Sequence, residues 1–183
     1  MPTHAELVTP ERVLFSGEAD FAVMRSEGGE IMFLPNHADF VGALDITLVR
    51  FALAGTEAAA SAASHETGRA PAAEVRAAVH GGLVHVAGNR VLVLASVAEL
   101  SGEIDVERAR RALDAAESAA AAVHEEAPKA GHEGSAEEGA EQSPTMMALL
   151  RPDDPEVAAR RARARLEAAG VLEASAPGNP PGH

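Results

Sequence analysis

Three groups of residues in this sequence are of types that could do chemistry. His80 and His85 flank the Gly81-Gly82 step, and Asp39 follows His37 closely, a set of imidazoles and carboxylates that a metal hydrolase could use. The motifs that would give such residues a working spacing are missing: there is no HExxH, no Gly-x-Ser-x-Gly and no Walker loop. Neither a metal centre nor a catalytic residue is expected, and His37, beside Pro35, reads as a hydrogen-bonded corner. The second group is Asp105 with Glu107 and Arg108, the start of a capped helix. The third is Arg160, Arg161, Arg163 and Arg165, a basic stretch. It follows an acidic one, Glu125, Glu126, Glu133, Glu137, Glu138 and Glu141, relieved only by Lys129. Such segregation lets each half address different surroundings; the plainer reading is a solvated linker beside a surface helix.

Composition narrows the classes. The chain has 183 residues, no Trp, Tyr or Cys, and 3% aromatics. Its core must be built from Val, Leu, Ile, Met and Ala, with Phe clustered between Phe15 and Phe51, which suits a thin sandwich better than a deep enzyme pocket. Without Cys there is neither a disulfide framework nor a thiolate metal site, and a reducing compartment fits. A net charge of −13 argues against nucleic acid, which demands clustered Lys and Arg. No apolar run reaches the roughly 18 residues that cross a membrane, and the first residues lack the pattern of a signal peptide. The expectation is a soluble, cytoplasmic chain.

The first hundred residues are punctuated like an all-β domain. Gly28-Gly29 separates Asp20–Ser26 from Glu30–Leu34, Gly81-Gly82 separates Val75–His80 from Leu83–Ala87, and Gly88-Asn89 precedes Arg90–Ala95. Such steps supply the positive φ of tight hairpins. Leu44, Ile46 and Leu48 alternate with Asp45 and Thr47, and Val75, Ala77 and Val79 with Arg76 and His80, predicting one buried and one wet face. Val91 to Leu94 do not alternate, predicting a strand covered on both sides. Residues 55–73 lack strand periodicity and read as an elongated hairpin loop. From Asp105 the period becomes helical: Val106, Ala109, Leu113, Ala116, Ala120 and Val123 form a narrow apolar stripe. Residues 124–152 read as an acidic, flexible insert. Asp153-Asp154-Pro155-Glu156 starts a second helix, with Ala159, Ala162, Leu166 and Ala169 as its stripe and Gly170 as its stop. The fold class is α+β. An antiparallel β-sandwich covers 1–98, a first helix 99–123, the insert 124–152, an Arg-rich helix 153–172 and a loose tail 173–183.

Two strings carry a resemblance. They are Leu7-Val8-Thr9-Pro10-Glu11-Arg12-Val13-Leu14-Phe15-Ser16-Gly17 and Glu30-Ile31-Met32-Phe33-Leu34-Pro35-Asn36-His37-Ala38. With Ile104-Asp105-Val106-Glu107-Arg108-Ala109, the chain resembles the epsilon subunit of bacterial F-type ATP synthase over residues 4–54 and 74–117. The resemblance implies a sandwich of about ten strands followed by two antiparallel helices. It implies a non-catalytic coupling subunit of a rotary, proton-transporting enzyme, peripheral on the cytoplasmic face of the cell membrane. Implied partners are the gamma subunit of the rotor shaft, the c-subunit ring and, through the second helix, the catalytic alpha and beta subunits.

Carried over residue by residue, the ring and shaft contacts fall on Glu27, Gly28, Gly29, Glu30, Leu34, Pro35, His37 and Ala38. Asn36 stands where the family usually has Gly, and Asp39 where it has Pro. No cofactor is required, but the third string resembles a motif that binds regulatory ATP, pointing to Glu99, Ile104, Asp105, Arg108 and Ala109. Arg side chains would take the phosphates there. The family's next Arg on the first helix is Ala115 here, with the second helix offering replacements. Arg160, Arg161, Arg163 and Arg165 would make the second helix an inhibitor of ATP hydrolysis, reaching an acidic catalytic segment when the hairpin opens. The insert departs from the family's short turn. Since doubling a loop costs only about 0.6 kcal/mol in closure entropy, it permits the hairpin but weakens two Ala stripes noticeably. The alternative is a free-standing β-sandwich binding module with a partner-recruiting helical tail.

Overall fold

The computed structural model describes residues 1–26, 28–54, 73–126 and 154–172, the side chains of 123–126 excepted. Glu27, the expected loop apart from Ala73, the insert from 127 to 152 and the tail 173–183 lie outside the described residues. The strands are β1 (Thr3–Val8), β2 (Val13–Ser26), β3 (Gly29–Phe33), β4 (Phe40–Leu53), β5 (Glu74–Ala87), β6 (Arg90–Ala95) and β7 (Ala98–Leu100). A 3-10 turn at Ser101–Glu103 leads to α1 (Val106–Glu126), and α2 is Pro155–Ala168.

β1 pairs with both β2 and β6, so the order β1-β6-β5-β4-β2 closes on itself, with β3 on β2 and β7 on β5. Every pairing is antiparallel except β1 with β6, which is parallel. Seven strands are described rather than about ten. The difference lies in β2, β4 and β5, which run 14 residues each and serve both layers of the sandwich. Their inward-facing residues change parity midway. Ala77 and Val79 point into the core, and so do Val84 and Val86. Likewise Leu44 enters the core with Val49 and Phe51, while Ile46 and Leu48 pack outside it. The expected single face of Leu44, Ile46 and Leu48 is therefore wrong, because period two holds only while a strand stays in one sheet.

Gly81-Gly82 is likewise not a hairpin. β5 continues through it, leaving β7 and joining β6 at this corner while remaining paired with β4 on its other side. A Cβ on Gly82 would lie 2.2 Å from the Leu94 carbonyl oxygen, at a φ of +156°. Gly88-Asn89 does make the β5–β6 turn, both residues having positive φ. β6 alternates after all: Val91, Val93 and Ala95 are buried, and Leu94 is exposed.

The helices stack outward from one layer. Val157, Ala164 and Ala168 of α2 pack with Ile46, Leu48, Ala78 and Ile104. Ala162 and Leu166, also buried, fall on the opposite side of α2, towards α1. α1 buries Ala109 and Ala116, with Leu113 and Ala120 half-buried. The single stripe read from the sequence thus mixes two faces: Ala162 and Leu166 lie on the α1 side, while Ala169 packs with the cluster on the sheet side. A helix between two layers needs two apolar faces, and small Ala side chains allow close approach on both. Asp105 caps α1 by accepting from the Arg108 N–H at 2.9 Å, and Asp154 caps α2 by accepting from the Glu156 N–H at 2.9 Å. At the end of α2, Val171 N–H reaches the Leu166 carbonyl at 2.9 Å and Gly170 N–H that of Glu167 at 3.0 Å, a Schellman closure.

Gly82→Ala should destabilise the chain by at least about 2 kcal/mol, since backbone must move. Urea denaturation followed by far-UV circular dichroism measures this; a change within about 0.5 kcal/mol, typical of surface substitutions, would remove the corner from the account.

Candidate functional site

The loop after β3 is built by a turn. His37 N–H donates to the Leu34 carbonyl at 3.1 Å, and Asn36 has φ of +60°. Asn tolerates this left-handed conformation better than most residues, which suits it to the turn. Asn36 N–H donates to Asn89 Oδ1 at 2.9 Å, tying the loop to the β5–β6 turn. The His37 ring bonds the Ala38 carbonyl at 2.8 Å and meets Phe33 edge-on, with ring centroids 5.0 Å apart. His37 is thus a corner with an exposed ring. Gly28, Glu30, Leu34 and Ala38 are exposed, and Pro35 and Gly29 half-buried. Glu30 lies 3.7 Å from Arg50.

A second surface escaped the sequence reading. The outer face of β4, β5 and β6 carries Val41 at 62% exposure, Leu83 at 38% and Leu94 at 41%. Leu83 pairs directly with Leu94, and Ala43 with Leu83, so these residues are contiguous. The signal was the unbroken Val91–Leu94 run: it means core on one side and an apolar face that no described residue covers on the other. Contiguous exposed apolar side chains of this kind mark interaction sites.

The hinge between sandwich and helices forms a cleft of about 320 Å³, lined by Glu99, Glu103, Asp105, Arg108, Ala109, Ala112 and Arg165. Four of the five residues expected at a nucleotide site line it, while Ile104 is buried with the side chains beneath α2. Arg165 is committed to Glu99, through Nε at 2.8 Å and Nη2 at 2.6 Å. Glu103 accepts twice from Arg12 at 2.7 Å, and these hydrogen bonds hold its carboxyl below the usual range. The Asp105 carboxylate already serves the helix N-terminus. Three carboxylates thus face two guanidinium groups, a balance that fits a polyphosphate poorly unless Arg165 leaves Glu99.

The other helix arginines are also tied to the fold. Arg160 pairs with Asp45 of β4, and Arg163 with Glu117 of α1 at 2.6 Å. In the opposite direction, Arg76 of β5 donates to the Glu167 carbonyl at 2.5 Å. These partners lie far away in sequence, so no local pattern could have named them. His80 is buried beneath α2, and its pKa is lowered to about 4, first by burial and then by Arg165 and Arg161 against the opposing pull of Glu99. His85 is exposed on the other layer, so the imidazoles that suggested a hydrolase stand apart. On the surface, Ser16, His4 and Glu18 sit in hydrogen-bond reach like a nucleophile, base and orienting acid. Glu6 lies 3.1 Å from the same His4 Nε2, however, and occupies the nitrogen that would serve the serine.

With this geometry in hand, known proteins give the family. The family described as ATP synthase, Delta/Epsilon chain, beta-sandwich domain matches residues 2–101. The ATP synthase epsilon chain of Brevibacillus brevis is 41% identical over 112 residues, covering 61% of this chain and 73% of the relative. That of Streptomyces griseus is 39% identical over 122 residues, covering 66% and 84%. A solved chain from the Euglena gracilis mitochondrial ATP synthase, in an OSCP/F1/c-ring assembly, shares the fold with a TM-score of 0.58 at 17% identity, covering 92% of this chain and 81% of that one. The chain belongs to the delta/epsilon family of ATP synthase, and the curated relatives it matches are epsilon chains.

Arg165→Ala should weaken docking of α2 by about 1 kcal/mol, because a partly buried Glu99 loses its charged donors. Limited thermolysin digestion should then cut within α2 roughly fivefold faster. An unchanged rate would mean that the pair contributes nothing to holding the helix.

Proposed function

We propose that this chain couples catalysis to proton transport as the epsilon subunit of a rotary ATP synthase, contributing no catalytic group itself. The uncovered apolar face at Val41, Leu83 and Leu94 is the observation that carries the reading, because an epsilon subunit must be gripped by the rotor shaft. In this reading the gamma subunit covers that face. The polar loop containing Gly28, Gly29, Glu30, Leu34, Pro35, His37 and Ala38 meets the c-subunit ring, and Glu27 belongs to the same loop by sequence. None of the helices described is long and apolar enough to cross a membrane. Membrane attachment is accordingly assigned to the complex, on its cytoplasmic face.

The proposal extends to regulation. Arg160, Arg163 and Arg165 are satisfied by Asp45, Glu117 and Glu99 while α2 is docked. Released together with Arg161, they would offer the same pairing to an acidic segment of the catalytic alpha and beta subunits and inhibit hydrolysis. What supports this is the character of the attachment: exchangeable ion pairs over a small Ala-rich contact. ATP of low affinity is proposed for the hinge cleft, with Arg108 and Arg165 taking its phosphates, and Glu99, Ile104, Asp105 and Ala109 shaping the site.

Three outcomes test these roles. Glu30→Ala with His37→Ala should uncouple membrane-bound ATP hydrolysis from proton pumping while leaving the sandwich folded. Fully retained coupling removes the loop as a ring contact. Replacing all four arginines by Ala should raise hydrolysis by the soluble catalytic complex, most visibly at low salt, and any single change should do little, since exposed pairs are worth about 0–1 kcal/mol each. Unchanged hydrolysis makes the tail a passive extension. Calorimetry should detect ATP only near millimolar concentration and lose the heat in Arg108→Ala; no heat at that concentration removes the nucleotide.

A further inference from the structure

His80 lies on the part of β5 that α2 covers. Its cross-strand partner is Ile46, which packs in one cluster with Val157 and Ala164 of α2. The ring is buried, and its Nε2 has no hydrogen-bond partner among the described residues. The charges around it come from every neighbouring element. α2 contributes Arg161 and Arg165, and β7 contributes Glu99. On β4, Asp45 adjoins Ile46 and is bound to Arg160. Further along β5, Arg76 bonds the Glu167 carbonyl, and Glu74 is buried beyond it.

This arrangement suits a neutral imidazole and opposes a charged one. Among the described residues Glu99 is the one carboxylate that pulls a proton towards His80, and Arg165 already holds it at 2.6 Å. An imidazolium here would lack solvent and face two guanidinium groups of the helix that covers it. We propose that His80 is a proton-linked latch: α2 stays docked while the ring is neutral and is released when the ring takes up a proton. The proton is the ligand, and its site is the contact between β5 and α2.

The direction follows from the two forms of the ring. Docked, its pKa is lowered to about 4 from an ordinary value of 6.5. The undocked form therefore binds the proton more tightly, and docking weakens as pH falls through 6.5, the loss being complete near 4. Between about pH 7.5 and pH 5.5 the docking equilibrium falls by up to about tenfold. Glu74 has its carboxyl pushed up by burial, against the pull of Arg50 and Arg76, and so titrates in the opposite sense. A comparison that changes only His80 separates the two. The latch needs no partner subunit, so its failure would leave the coupling role standing.

Hydrogen exchange on the full chain tests it, with α2 amide protection corrected for intrinsic rates at pH 7.5 and 5.5. The native chain should lose protection by about tenfold at the lower pH, and His80→Gln should lose none. Constant protection in the native chain, or an equal loss in His80→Gln, overturns the latch. Because the variant could misfold, imidazole NMR of the native chain supplies a second reading. A His80 pKa near 4 agrees with the proposal, and one near 6.5 overturns it.

Discussion

The structure depends on the passage of three long strands from one sheet to the other. A strand that stayed in one sheet would keep Leu44, Ile46 and Leu48 on one face, and the sandwich would have nothing apolar to offer a helix. The parity change near Asp45 and Gly81 sends Leu44 inward and leaves Ile46, Leu48 and Ala78 outside. That outward strip is the seat of α2. Gly82 makes the passage possible because its backbone lies against the Leu94 carbonyl, where no side chain fits.

The same passage divides the molecule into two working surfaces. One layer carries the helices through a thin contact of Val, Leu, Ile and Ala, supplemented by the Arg160–Asp45 and Arg165–Glu99 pairs. The other layer presents Val41, Leu83 and Leu94, exposed among the described residues. The proposed coupling role would use this asymmetry, with the shaft gripping one side and α2 releasable on the other. Ion pairs that are partly exposed add little to stability but can be exchanged for equivalent partners, which suits the release proposed for α2.

Much of this was legible in the sequence. The strand-then-helix order, Asp105 as a cap, Asp153-Asp154-Pro155-Glu156 as a helix start and Gly170 as a stop followed from local chemistry, which acts within a few residues. Asn36 could be recognised as a turn residue for the same reason. What the sequence hid was long-range. Gly81-Gly82 looks like a hairpin because its φ requirement is the same, and only the partner strands distinguish a corner from a turn. The run Val91–Leu94 looked doubly covered because an apolar face awaiting a partner has the same composition as a buried one. The pairing of Arg163 with Glu117 joins residues 46 apart, and that of Arg165 with Glu99 residues 66 apart, beyond any periodicity.

The proposed role requires the rotor shaft to close the β4–β5–β6 face. The chain has no cysteine, so Leu83→Cys places a single thiol on that face. Its rate of reaction with a maleimide, measured for the isolated chain and for the chain reconstituted into the membrane-bound ATP synthase, tests this requirement most directly. Labelling should be rapid for the isolated chain and strongly suppressed in the assembled enzyme. Equal rates in an assembly shown to contain the chain would contradict it.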